Sequence, residues 1–280
     1  MHKIATLGPA GTYSEQACIR FIQQLDDACK IHFFPSIKKV ISAVGDESDI
    51  GVIPIENFSE GYVSTVLDEL SKTDVQVLAE VMLPIRFSYV SNQANKRDVE
   101  TLFVQFVAKN QCSEFLESFH DVDFVQTESN ILSLEQLKRC ETPAAAIIPS
   151  AAVSQDEFAT VEDNVADYEE NQTRFLVLGK PALSINLPID LTTSVKTSII
   201  VFNDDDCPGA LNEILNGFAS RGINLLSIIS RPTRQAFGQY FFYIDLEGHA
   251  QSPNVASALR VIQSQHRIKI LGSYHKIHSE

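Results

Sequence analysis

Three short segments carry side chains suited to gripping and protonating a small anion. GPAGTYS at residues 8–14 sets two glycines and the hydroxyls of Thr12, Tyr13 and Ser14 between an apolar run and a helical pattern. A glycine turn opening a helix lets the backbone approach a ligand and presents free N–H groups to an anion. The same residues also suit a plain turn, with Ser14 as helix cap. PIENFSEG places Glu56 and Asn57 where an apolar strand emerges, the position that lines ligand crevices in open α/β sheets. Alternatively, Asn57 shapes the loop and Glu56 caps the helix that follows. NQTRF offers Asn171, the Thr173 hydroxyl and Arg174, whose planar fork can hold a carboxylate bidentately. In an arbitrary protein this arginine would simply sit on the surface at a strand start.

The elements that must position these groups alternate. Residues 3–8 read as a buried strand, 14–28 and 37–45 as helices, and IHFFP and DIGVIPIEN as strands. VSTVLDELSK reads as a helix and VQVLAEVMLPIRFSYVS as extended chain. Helices near 109–118 and 130–139, with strands at DVDFVQ, AAAIIPS and RFLVLG, complete this part. The pattern predicts α/β layers with mostly parallel sheets, forming two lobes around a cleft at 1–180, with the chain crossing between lobes near 76 and 160. Residues 181–195, with two prolines and several Ser and Thr, read as a linker. The β-α-β-β-α-β order over 196–280 predicts a ferredoxin-like module.

With 280 residues the chain is long enough for two or three domains. Its 36 Asp plus Glu against 22 Lys plus Arg, a formal charge of −14, argues against a nucleic-acid surface and against an anionic membrane. No signal core or membrane span is visible, and the five scattered cysteines, Cys207 included, fit a reducing cytoplasm. Neither HExxH nor a Cys/His cluster occurs, so no metal is expected. His275 and His278 read as a solvated tail.

GPAGTYSEQA, GVIPIEN followed by Glu60-Gly61, and NQTRF, in that order and followed by a module with PGAL and SRP, resemble prephenate dehydratase over nearly the whole chain. The resemblance implies a two-lobed fold like the periplasmic binding proteins of type II, with a C-terminal ACT domain. It implies loss of water and carbon dioxide from prephenate to give phenylpyruvate in L-phenylalanine biosynthesis, without a cofactor. Thr173 would donate a proton to the leaving hydroxyl, Arg174 would hold a substrate carboxylate, and Phe175 would pack beneath them. Gly11, Thr12, Tyr13, Ser14, Glu56, Asn57, Ser129 and Asn171 would hold the substrate. Pro208, Gly209, Ala210, Leu211, Asn224, Ser230, Arg231 and Pro232 would bind phenylalanine as effector, in a homodimer or homotetramer joined through the ACT domain.

Some positions depart from the family's pattern. Phe58 stands for a serine, Val104-Gln105 for a Ser-His pair seven residues before Gln111-Cys112, Asn130 for a threonine, and Ile229 for a glutamate. These changes leave two further readings open: a dehydratase-like enzyme that decarboxylates prephenate without aromatising it, or a non-catalytic amino-acid sensor. Retained Thr173 weighs against the former, which must not protonate the hydroxyl. His249 reads as structural.

Overall fold

In a computed structural model, residues 1–25, 27–181, 183, 195–203, 208–234 and 238–277 are described. Most of the expected linker, Cys207 and His278 lie outside them. The first lobe begins with β1 (His2–Leu7), α1 (Tyr13–Ile22), β2 (Cys29–Phe34), α2 (Ile37–Ala43), β3 (Ile50–Asn57), β4 (Gly61–Tyr62), α3 (Ser64–Lys72) and β5 (Gln76–Pro84). The second holds β6 (Phe87–Ser91), β7 (Thr101–Gln105), α4 (Phe106–Gln111), α5 (Ser113–Leu116), β8 (Asp123–Thr127), α6 (Asn130–Arg139), β9 (Ala144–Pro149) and β10 (Thr160–Asp163). The chain then returns to the first lobe as β11 (Gln172–Gly179).

The first sheet runs β2-β1-β3-β11-β5, with β11 antiparallel to both its neighbours. The second repeats the plan as β8-β7-β9-β6-β10, with β6 antiparallel to β9. Each lobe is thus a small parallel sheet with one strand contributed across the hinge, the expected two-lobed α/β arrangement. β3 is buried on both faces, which is why IGVIPIEN is apolar without alternation. One face packs on α1 through Ala17, Cys18 and Phe21, and the other on α2 and α3.

The first crossing falls at Ile85–Arg86, not near 76, and the return lies between β10, which ends at Asp163, and β11. β5 pairs with β11 from Gln76 to Pro84, and β10 pairs with β6 in the second lobe. A continuous apolar run carries no mark of where the chain changes sheet. The crossing segments are tied by the Ile85 N–H, which donates to the Asn171 carbonyl at 2.8 Å.

The C-terminal domain comprises β12 (Lys196–Asn203), α7 (Ala210–Ala219), β13 (Leu225–Pro232), β14 (Tyr240–Glu247), α8 (Pro253–Gln263) and β15 (Arg267–Tyr274). Its antiparallel sheet runs β13-β14-β12-β15, the ferredoxin-like order, with α7 and α8 against one face. The other face packs largely on the first lobe. Ile200, Phe202, Phe241, Tyr243 and Leu271 share a core with Val40, Leu67, Val77 and Leu176 of the first lobe. A Cβ at Gly272 would lie 2.2 Å from the Val77 carbonyl oxygen, so the backbones of β15 and β5 touch as only glycine allows. A short strand, β16 (Lys276–Ile277), then pairs in parallel with β5. Among the described residues no helix is long and apolar enough to cross a membrane.

Candidate active site

β3 and β11 lie side by side with Asn57 opposite Thr173 and Glu56 opposite Arg174. Asn57 Nδ2 donates to Thr173 Oγ1 at 2.9 Å and to Asn171 Oδ1 at 3.0 Å. Its Oδ1 accepts from the N–H groups of Ser59 and Glu60, at 3.0 and 3.1 Å. Those two donors settle which end of the amide is oxygen, so Asn57 must present N–H to the threonine. Gln111 reaches across from the second lobe: its Nε2 donates to Asn57 Oδ1 at 3.2 Å, and its Oε1 accepts from Asn171 Nδ2 at 2.9 Å. This amide ladder locks the Thr173 oxygen as an acceptor. Among the described residues the Thr173 hydroxyl proton is given no acceptor, and it is left for whatever occupies the cleft.

That cleft, about 420 Å³, lies between the lobes and is lined by Thr12, Tyr13, Asn57, Ser129 and Thr173 among others. Thr12 and Tyr13 open α1, whose N-terminus has no side-chain cap. Ser129 caps α6, its Oγ accepting from the Leu132 N–H at 3.1 Å. Two helix N-termini, one per lobe, therefore face the same space with N–H groups and the positive ends of their dipoles. Tyr13 spans the lobes, donating to the Arg86 carbonyl at 2.6 Å, and burial pushes its pKa up so that the proton stays in place. No Lys or Arg is among the described residues lining the cleft, whereas Glu60 and Glu128 are.

The sequence-based site needs correction at several residues. Arg174 does not enter the cleft. Successive strand residues point to opposite faces, so with Thr173 facing the cleft, Arg174 faces the C-terminal domain. There its Nη1 donates to Asp245 Oδ2 at 2.6 Å and its Nη2 to the Tyr62 hydroxyl at 3.1 Å. Glu56 goes the same way, its carboxylate 3.4 Å from Arg174 Nε. Ser14 is buried in the first lobe, and Thr12 rather than Ser14 stands at the helix cap. Gly11 contributes backbone alone, its N–H turned to the Glu15 carboxylate. Asn171 lies behind the cleft in the amide ladder, and Phe175 lies in the core beneath β11.

In the C-terminal domain Pro208, Gly209 and Leu211 are exposed at the start of α7, Ala210 is buried there, and Asn224, Ser230 and Pro232 are exposed. Arg231 is turned away from them: it grips Asp68 of α3 with two donors, at 3.1 and 3.0 Å. Alternation along β13 puts it on the face toward the first lobe, as it does Ile229, which packs on the shared core.

The departures from the family pattern now have locations. Gln105 Oε1 accepts from the Val107 and Ala108 N–H groups, capping α4 at the cleft wall. Val104 is buried in the second lobe's core. Phe58 is exposed and meets Tyr168 edge to face at 6.0 Å. The Asn130 side-chain oxygen is buried without a hydrogen-bond partner among the described residues, in a residue lining the cleft. The sequence reading missed Gln111, Tyr62 and Glu128 as site residues; the kept Gln111-Cys112 pair was the available signal for the first. Burial pushes the thiols of Cys112 and Cys18 up to about 12, which favours the protonated form.

The chain is thus a two-lobed α/β protein whose interlobe cleft holds an amide-oriented hydroxyl, with a βαββαβ domain docked on one lobe. The prephenate dehydratase family matches residues 4–182, and the ACT domain family matches residues 197–263. The chain is 34% identical over 279 residues to a bifunctional chorismate mutase/prephenate dehydratase of Aquifex aeolicus, covering 98% of this chain and 74% of that one. It is 33% identical to a prephenate dehydratase of Methanocaldococcus jannaschii, with 95% of each covered. A solved prephenate dehydratase from Arthrobacter aurescens, in complex with L-Phe, superposes with a TM-score of 0.82 at 30% identity, covering 98% of this chain and 90% of that one. The chain belongs to the prephenate dehydratase family.

Proposed function

We propose that this protein is a cytoplasmic prephenate dehydratase, converting prephenate to phenylpyruvate in L-phenylalanine biosynthesis. The observation that carries the reading is the Asn57 amide held on Thr173 Oγ1, which leaves the hydroxyl proton for the cleft. In the reaction the ring–carboxylate bonding pair enters the ring as carbon dioxide leaves. The pair of the opposite C–O bond departs with the hydroxyl, which becomes water on taking a proton. Thr173 supplies that proton. A threonine hydroxyl is a weak acid, so the buried amide ladder serves to aim the proton at the leaving oxygen and to exclude water. With Arg174 turned away, the two carboxylates of prephenate fall to the N-termini of α1 and α6, one from each lobe. Binding both would draw the lobes together.

The second half of the proposal is feedback. L-Phenylalanine, the ligand of the Arthrobacter aurescens structure, would bind beside Gly209, Leu211 and Asn224. The edge of β13, unpaired among the described residues and with Leu226 and Ile228 exposed, offers a second copy of the chain an interface there.

The test is a prephenate assay with product mass identification, with and without phenylalanine. Phenylpyruvate is expected, at a rate lowered by phenylalanine, and Thr173→Ala should reduce kcat by about 10²–10⁴-fold. A folded protein making no phenylpyruvate would overturn the reading. A product that has lost carbon dioxide but kept its hydroxyl would favour the non-aromatising decarboxylase.

A further inference from the structure

Arg174 sits next to the proposed proton donor, yet every partner it has lies on the far side of the sheet. The residue is only 6% exposed, enclosed by neighbours that come from three places. Asp245, fully buried, comes from β14 of the C-terminal domain and is braced by the hydroxyls of Ser198 and Ser227. Glu80, on β5, lies 3.4 Å from Arg174 Nη1 and is held from the other side by Lys196 of β12, at 2.8 Å. Glu56 precedes Asn57 on β3, and Tyr62 lies opposite Glu56 on β4. Tyr62 itself lines the cleft, and the guanidinium lies over its ring at 5.4 Å.

One cation thus ties the C-terminal domain to three things that set the active hydroxyl. These are the peptide carrying Thr173, the residue before Asn57, and a wall of the cleft. The pairing of β11 with β3 also shifts register between Arg174 and Phe175. At such an irregularity the ladder hydrogen bonds alone hold a side chain's direction less firmly.

We propose that Arg174 is a positioning residue, anchored by Asp245, through which the docked C-terminal domain holds Thr173 and Asn57 in line with the substrate. The inference rests on the reading of Thr173 as proton donor. It assigns a role to Asp245, which is not among the cleft-lining residues, and it gives Arg174 a role different from gripping a carboxylate.

The test is steady-state kinetics on the full chain with prephenate, for wild type, Thr173→Ala, Arg174→Met, Asp245→Asn and the double variant Arg174→Met/Asp245→Asn. Wild-type turnover that is lost in Thr173→Ala establishes the underlying reading independently of the rest. Misplacement of a reacting group by about 1 Å costs roughly 10²-fold, and a loss of that order in kcat is expected for Arg174→Met and for Asp245→Asn. KM should stay within about threefold, because no substrate contact is removed. The double variant should be no slower than either single one, since both act through one link.

Removing one partner leaves a buried charge uncompensated, so a single variant could fail to fold. The double variant removes both charges together and carries the test in that case. Arg174→Lys, which keeps a charge beside Asp245, should recover part of kcat. A raised KM with unchanged kcat in Arg174→Met would make Arg174 a substrate ligand and overturn the proposal. Wild-type kcat in Asp245→Asn, or in the double variant, would overturn it equally.

Discussion

Thr173 and Arg174 divide the work of one dipeptide between two faces of a strand. The first is bonded to Asn57 and opens on the cleft; the second is enclosed by carboxylates. For Asp245, burial by itself would raise the carboxyl pKa, but Arg174, and after it Lys196, outweigh burial and hold it below the usual carboxylate range. The native value therefore lies under the unfolded one, about 3.9. The stabilisation is complete above the unfolded value and is lost as pH falls through the native value. The urea midpoint should accordingly fall between pH 5 and pH 3 more steeply in wild type than in Asp245→Asn, which has no proton to take up there. Equal slopes would mean that Asp245 does not titrate against Arg174. The residue types in TRF were readable from the sequence. That Thr173 and Arg174 must part company was readable only from the period of a strand, and which partner claims the arginine depended on a residue 71 positions away.

Among the elements, the meeting of the GPAG turn with α6 controls how closely the lobes approach. Gly11 has φ +82, and a Cβ there would lie 2.6 Å from Ile131 Cδ1 in the opposite lobe. Gly11→Ala should therefore do two separable things. The left-handed backbone costs roughly 1–2 kcal/mol of stability for a residue with a Cβ, read as a lowered Tm. The contact with Ile131 props the cleft open and should raise KM for prephenate. Adding Ile131→Ala should restore KM while leaving Tm low; a KM that stays high in the pair would show that the turn, not the lobe contact, binds substrate. The strand–helix alternation, and α6 at 130–139, were legible as periodicity. The crossing at Ile85–Arg86 was not, because an apolar run looks the same on either side of a hinge. The start of α1 was misread for a related reason: Ser14 suits a cap by residue type, but the folded turn puts Thr12 there.

For the molecule as a whole, the C-terminal domain spends one sheet face on the first lobe, and among the described residues no strand pairs with the outer edge of β13. An unpaired edge carrying exposed Leu226 and Ile228 invites pairing with another chain. If the proposed dimer forms there, Ile228→Lys should convert it to a monomer in sedimentation, and phenylalanine should lose its effect on turnover with it. A dimer that survives the substitution places the interface elsewhere. The sequence alone determined the family and the α/β and ferredoxin-like halves, because each depends on short-range pattern or on motifs a few residues long. The −14 charge likewise argued against polyanion partners at once. Only the tertiary structure decided how an acidic protein could receive a dicarboxylate. It turned Arg174 and Arg231 into inter-domain ties, which is why the proposed mechanism gives the anion to helix N-termini. Which face of a strand is buried, and against what, is set by the packing of segments far apart in the chain.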